Sequence, residues 1–552
     1  MKVPEPTLKV PPRPRPRSFP PEERSPQPGA RITRGERRRP ARTPGAFLLA
    51  RVSLAMVLIV ASLLSQEGLV AQEVDLDVQE FTLDNGMHFL LLPRPGAPTV
   101  SFVVHVPVGS VNESLGNTGI AHFLEHLLFK GTTTIGTRNL EAEKPLFQRM
   151  DAVHDTLILA RGRLPEPDAE EVARLESRIQ ALEDRARLLV VGGEFDDILS
   201  RAGARSLNAT TSYEATEYFV ELPSNRAQLW FVLEADRMRN PVFREFYAER
   251  DVIAEERRSR IDTSPGGRLW EAHMGAAFRV HPYGVAPIGH MSDILSLSRQ
   301  QVEEYYQRYY GPNNTIVTMV GDFDPDSARV WARDYFGPME PGDPPPPVLA
   351  REPEQEGERR VEVRHDAEPQ LLVGWKVPST YHPDAPTLSM LTNLLVAGRD
   401  SRLYRRLIRE DRIATSVTAS VNPGGRYPGL FTIQVVPRAP HSPEEVEAAI
   451  YQELERLLTE EPPTEDELER VRRRLEAASV RRLTSNLNLA FQLARSHATW
   501  GDWATTFQSQ QRIGEVEGED VLRVLKTYFT EEQRTVGILR RGTSPSTTQE
   551  GS

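Results

Sequence analysis

Five residues, His122-Phe123-Leu124-Glu125-His126, combine two imidazoles and a carboxylate at a spacing that suits metal chemistry. On a helix, positions i, i+3 and i+4 share about a third of the circumference. His122 and His126 then aim at one point, with Glu125 beside them. Two neutral imidazoles suit Zn²⁺, and a neighbouring carboxylate that is not a ligand can take a proton from water. The flanking Ile120, Ala121, Leu124, Leu127 and Leu128 are apolar, so the helix is mostly buried. Burying two His and a Glu without partners is costly, and a metal removes that cost. H-x-x-E-H is the inverted zincin order. Three protein ligands are needed, so the third comes from elsewhere.

Several elements must position this helix. Phe81 to Pro93 reads as two strands joined by a hairpin turn at Asp84-Asn85-Gly86. Thr99 to Val108 reads as a further strand, leading through Gly109, Gly116 and Gly119 into the His122 helix. His105 falls on a face of that strand, where a lone His is usually structural. Ser206 to Pro223 reads as two strands near a sheet edge, and Ala227 to Arg239 as a helix ending at Asn240-Pro241. Phe246 to Arg258 reads as a charged helix. Glu249 and Glu256 lie seven apart on one face, with Glu255 elsewhere; periodicity leaves all three open as the third ligand.

Between Glu141 and Gly203 the pattern changes. Val172, Leu175, Ile179 and Leu182 recur at helical spacing, and Leu164-Pro165-Glu166-Pro167 interrupts the run. We read two long helices joined at the prolines, a helical-hairpin insertion whose charges form a solvated face. Thr315 to Val320 reads as a strand, and Pro338 to Pro347 as an extended, semi-rigid linker. From about Arg359 to Arg541 the order of strands and helices resembles that of the first domain without the metal motif, as in a degenerate repeat.

The chain has 552 residues and no cysteine. That excludes disulfides and thiolate ligands, leaving His, Asp and Glu to hold a metal. Residues 1–45 are rich in Pro and Arg and read as disordered. Val52 to Leu64, preceded by Arg51, has the length of a signal-peptide apolar core, with a cleavage end after Ala71. The alternative is an uncleaved membrane anchor. The leading arm is long for such a signal, so translation can begin downstream of Met1. Residues 1–71 hold 13 Lys+Arg and 5 Asp+Glu, so their removal takes the formal charge from −11 to −19. A body this acidic argues against nucleic acid as a partner.

The segments His122–His126, Leu207-Asn208-Ala209-Thr210-Thr211-Ser212, Glu249 through Glu256 and Tyr310-Gly311-Pro312-Asn313-Asn314 together resemble the insulinase (pitrilysin, M16) family of zinc peptidases. The likeness is strongest to members similar to mitochondrial processing peptidase and its bacterial relatives, and covers roughly residues 76–541. It implies an α+β fold of two homologous domains, each a mainly antiparallel sheet packed with helices, enclosing a chamber for unfolded peptides. The implied arrangement is an arm and signal segment at 1–71 and a zinc domain at 76–336, with the insertion at about 145–200. A linker at 337–357, a degenerate domain at 358–541 and a disordered tail at 542–552 complete it. By register the resemblance puts one Zn²⁺ per chain on His122, His126 and Glu256. It makes Glu125 the general base and Glu249 a supporting acid, and Asn208-Ala209 the edge to which peptide adds as a strand.

Two departures from the family follow. The separation of 130 positions from His126 to Glu256 exceeds the usual spacing, which the insertion accounts for. The second domain of the family supplies an Arg and a Tyr, and an ungapped alignment puts Ile408 and Thr415 at those positions. The resemblance therefore implies pairing with a zinc-less homologous subunit that supplies them, or a homodimer. The expected function is hydrolysis of unfolded or short peptides after export; the rivals are a non-catalytic scaffold of the same fold and an oligopeptide-binding module.

Overall fold

A computed structural model describes residues 76–164 and 166–542. The expected arm, signal segment and cleavage end, Pro165, and residues 543–552 of the expected tail lie outside the described residues. Among the described residues no helix is long and apolar enough to cross a membrane.

Among the described residues, eleven strands form two sheets. The first contains β1 (Gln79–Thr82), β2 (His88–Pro93), β3 (Thr99–Val106), β4 (Arg205–Thr211), β5 (Thr216–Pro223) and β6 (Ile316–Gly321) in the order β1-β2-β6-β3-β5-β4. The second contains β7 (Arg359–His365), β8 (Gln370–Val377), β9 (Ala414–Asn422), β10 (Gly429–Pro437) and β11 (Arg534–Arg541) in the order β7-β11-β8-β10-β9. Without β1 the two orders superimpose, β2 on β7, β6 on β11, β3 on β8, β5 on β10 and β4 on β9. Each sheet has one parallel pair, β2–β6 and β7–β11, among antiparallel neighbours. This is an α+β fold with an internal repeat.

The main helices of the first half are α1 (Ile120–Leu127), α2 (Leu140–Arg161), α3 (Ala169–Arg187), α4 (Glu194–Arg201), α5 (Ala227–Arg239), α6 (Phe246–Arg257), α7 (Pro265–Ala277), α8 (Met291–Ser296), α9 (Arg299–Tyr309) and α10 (Pro325–Trp331). Those of the second half are α11 (Ala385–Val396), α12 (Pro443–Thr459), α13 (Glu465–Leu483), α14 (Asn486–Trp500), α15 (Thr505–Gly514) and α16 (Gly518–Tyr528). One face of the first sheet carries the larger core, where Phe102 stacks on Trp230 of α5 at 4.3 Å and Phe89 meets Phe336.

The opposite faces are covered by exchange. α14 belongs by sequence to the second half, yet its Leu489, Ala490, Leu493 and Ala494 pack on Leu90, Leu92, Val103, Ile316 and Val320 of the first sheet. In return α7, from the first half, lays Leu269 against Leu372 and Leu539 of the second. A sheet apolar on both faces needs two covers, and each half supplies one to the other. Arg495 of α14 reinforces this by donating to both oxygens of buried Glu217 on β5, 2.8 Å from Nε to Oε1, while His105 lies 2.9 Å from Oε1. The strand histidine is thus structural.

The insertion forms the expected hairpin, with α2 capped by Asn139 and α3 by Asp168. Leu175, Ile179 and Leu182 are buried as their spacing requires, and a third helix, α4, follows. Its charges are not all solvated. Asp151 accepts from Tyr247 Oη at 2.8 Å and Glu183 accepts from Ala248 N at 2.8 Å, so the insertion braces the start of α6.

Candidate metal centre

α1 enters its first turn through Gly119, whose φ of 89° suits glycine and whose Cβ, if present, would lie 2.6 Å from Ile288 O. The cap comes from outside the helix. Glu113 accepts from Gly119 N at 2.8 Å and from Ala121 N at 2.9 Å, satisfying amides that a helix start leaves free. Asp293 holds the preceding loop, accepting from Gly116 N, Thr118 N and Thr118 Oγ1. Phe123 then packs on Phe246 of α6 at 4.7 Å, which sets the two helices face to face.

Across that contact the ligand atoms of His122, His126 and Glu256 come within 4.8 Å of one another. Glu256 Oε2 lies 3.8 Å from His122 Nε2 and 3.6 Å from His126 Nε2. Ligand atoms on a tetrahedral zinc ion bound at about 2.0–2.1 Å stand roughly 3.3–3.4 Å apart, so these spans need to close by only a few tenths of an ångström. His122 Nδ1 is buried without a partner, and burial, with lesser effects of His126 and Arg260, pushes the His122 pKa down to about 3. A neutral imidazole is the form that binds a metal. The donor set fits zinc.

Of the three acids that periodicity left open, α6 turns two toward α1. Glu255 is 72% exposed at its side chain and pairs with Arg258. Glu249 lies 3.3 Å from His126 Nδ1 and 2.5 Å from Lys130 Nζ. Burial would push its pKa up, but the bonds to His126 and Lys130 outweigh this and hold the carboxylate below its usual range. Such a partner fixes the tautomer and direction of His126.

Glu125 stays out of the ligand set. Its Oε2 accepts from Thr211 Oγ1 at 2.5 Å, and burial, opposed by that bond, raises its pKa. Thr211 ends β4, which among the described residues pairs only with β5 and leaves its other edge open. Asn208 and Ala209 lie on this strand opposite Phe219 and Tyr218. Asn208 Oδ1 accepts from Ala209 N at 2.9 Å. In the second half, Ile408 packs against the core and Thr415 donates to Val436 O at 3.2 Å.

Sequence reasoning missed Thr211, Lys130, Arg260 and Glu113. Arg260 Nη2 holds Glu256 Oε1 at 2.8 Å, an i,i+4 relation that a helix-pair search would have found. Thr211 and Glu113 reach the site through the tertiary fold and leave no local pattern.

The fold is thus a two-sheet repeat that carries, on one half, a His-His-Glu cluster able to hold a metal ion. Residues 89–144 and 192–289 match the profile described as Insulinase (Peptidase family M16), and residues 296–475 match Peptidase M16 inactive domain. The chain belongs to the M16 family. The first match skips 145–191, most of the helical hairpin. The chain is 29% identical to "Zinc protease PqqE" of Helicobacter pylori over 501 residues, 89% of this chain and 98% of the relative. It is 24% identical to "Probable mitochondrial-processing peptidase subunit beta" of Schizosaccharomyces pombe, covering 80% of this chain and 87% of that one. Among solved structures, a protease from Helicobacter pylori aligns with a TM-score of 0.71 at 27% identity, covering 84% of this chain and 99% of that one.

Proposed function

We propose that the chain is a zinc endopeptidase acting on unfolded or short peptides. The observation that carries this reading is the convergence of His122, His126 and Glu256 beside a carboxylate, Glu125, that is left free of the cluster. His122, His126 and Glu256 would hold the zinc, which would supply Lewis-acid polarisation of a water and of a carbonyl oxygen. Glu125 takes the proton from the water and passes it to the leaving amine, with Thr211 fixing the carboxylate. Glu249 holds His126, and Lys130 holds Glu249.

Peptide adds to the open edge of β4 at Asn208 and Ala209, a mode in which main-chain pairing supplies affinity and side-chain sequence matters little. Because Thr211 on the same strand touches Glu125, a peptide paired with β4 runs past the general base. Ile408 and Thr415 offer no guanidinium or phenol, so the Arg and Tyr come from a homologous zinc-less subunit; a homodimer is the other arrangement. The units are 76–336 and 358–541, joined by 337–357. The chain is exported through its leading segment to the periplasm, or stays anchored by that segment.

The test is isolation of the protein from its host, followed by zinc and peptide-cleavage assays on the isolated chain and on any co-purified complex. Cleavage that needs both zinc and the complex supports the reading. Equal activity of the lone chain removes the partner, and absence of zinc and cleavage from both preparations overturns the peptidase.

A further inference from the structure

Away from α1, a second group of metal-ligating side chains converges where the two halves meet. Glu80 of β1, His88 of β2 and His497 of α14 each place a ligand atom within 4.8 Å of the others. The fold explains the meeting. Glu80 pairs with Leu90 across the β1–β2 hairpin, and His88 is two residues before Leu90, so both share the face that α14 covers. On α14, His497 continues the seam of Ala490, Leu493 and Ala494 at helical spacing.

The chemistry at this point is unfinished. His88 Nε2 lies 3.3 Å from Glu80 Oε1, yet it makes no hydrogen bond and is buried; His497 Nδ1 is buried and unbonded as well. His88 Nδ1 is 3.0 Å from Thr82 Oγ1. With Nδ1–H donating to that hydroxyl, Nε2 presents a lone pair toward a carboxylate, an arrangement that a cation between them relieves. The 3.3 Å span equals the separation of two ligands on a tetrahedral ion bound at about 2.0–2.1 Å. A neutral imidazole is the form that binds such an ion.

We propose that Glu80, His88 and His497 form a second site for a divalent transition metal of the zinc class, tying the β1–β2 hairpin of the first half to α14 of the second. The two imidazoles are stacked, with centroids 4.0 Å apart and planes 15° from parallel. Lone pairs lie in the ring plane, so binding turns His497 out of the stack about its Cβ–Cγ bond. The metal then fastens the cover that the second half lends to the first. The site stands independently of the peptidase reading.

The test is zinc content per chain after equilibrium dialysis against buffered micromolar zinc. The wild type should hold two ions, and the His122→Ala/His126→Ala double variant one. Glu80→Ala, at an exposed position, and His497→Ala should each hold one. Adding His497→Ala to the double variant should leave none. Zinc should also raise the Tm of the double variant but not of the triple variant. One ion in the wild type with none in the double variant overturns the proposal, as do two ions retained by Glu80→Ala and His497→Ala.

Discussion

α1 and α11 follow equivalent strands, β3 and β8, in the two halves. α1 buries His122 and Glu125 among apolar neighbours, while α11 reads Ala-Pro-Thr-Leu-Ser-Met-Leu-Thr-Asn-Leu-Leu-Val and buries Leu388, Met390, Leu391, Leu394 and Leu395. The same fold is therefore built without histidine or glutamate at this place. Polar groups that folding does not require, yet that are buried at a cost, point to a ligand. The acids differ in the same way. Glu249 and Glu256 of α6 face the histidines, whereas Glu467 of α13 forms a buried, bidentate pair with Arg402, both bonds 2.7 Å.

Breaking the ligand set should have the largest effect. His126→Ala should lose the α1 zinc and reduce peptide cleavage to background, as metal analysis and a fluorogenic peptide assay would show. Glu249→Gln should keep the ligands but loosen His126, weakening zinc affinity about 10–100-fold in a chelator competition.

Arg495→Ala probes the exchange of helices between halves. Burial would raise the Glu217 pKa, but the bonds from Arg495 and His105 outweigh it and bring it to about 2, below the ordinary 4.5. A depressed carboxylate contributes stability above its unfolded pKa and loses it as pH falls toward its folded pKa. Because Arg495 is 57% exposed at its side chain, solvent screens part of the loss, and the variant should be destabilised by about 1–3 kcal/mol at pH 7. Denaturant titration should find that difference shrinking between about pH 4.5 and 2. The smallest effect belongs to α11: Asn393→Ala should leave zinc content and cleavage unchanged, and a change in either would break the contrast between the helices.

Much of this was legible in the sequence because it is local. The His122–His126 spacing, the hairpin at Asp84-Asn85-Gly86, the Ala227–Arg239 helix and the Leu175-Ile179-Leu182 stripe each follow from periodicity or turn chemistry, and the structure has these elements. Periodicity alone left Glu255 and Glu256 open; the register of the family resemblance chose Glu256, and in the fold the packing of Phe123 on Phe246 sets α6 so that Glu255 is exposed. The exchange of α7 and α14 was not legible, since an apolar helix stripe does not say which sheet it covers. Nor were the Glu113 cap and the Thr211 bond, which arise only once distant segments meet.

The central claim, that α1 carries a working zinc centre with Glu125 as its general base, is tested most directly by turnover of Glu125→Gln against wild type. Both should be isolated from the native host with any partner and compared at equal zinc content. The account predicts unchanged zinc and peptide cleavage lowered by about 10²–10⁴-fold. Unchanged cleavage at equal zinc would contradict it.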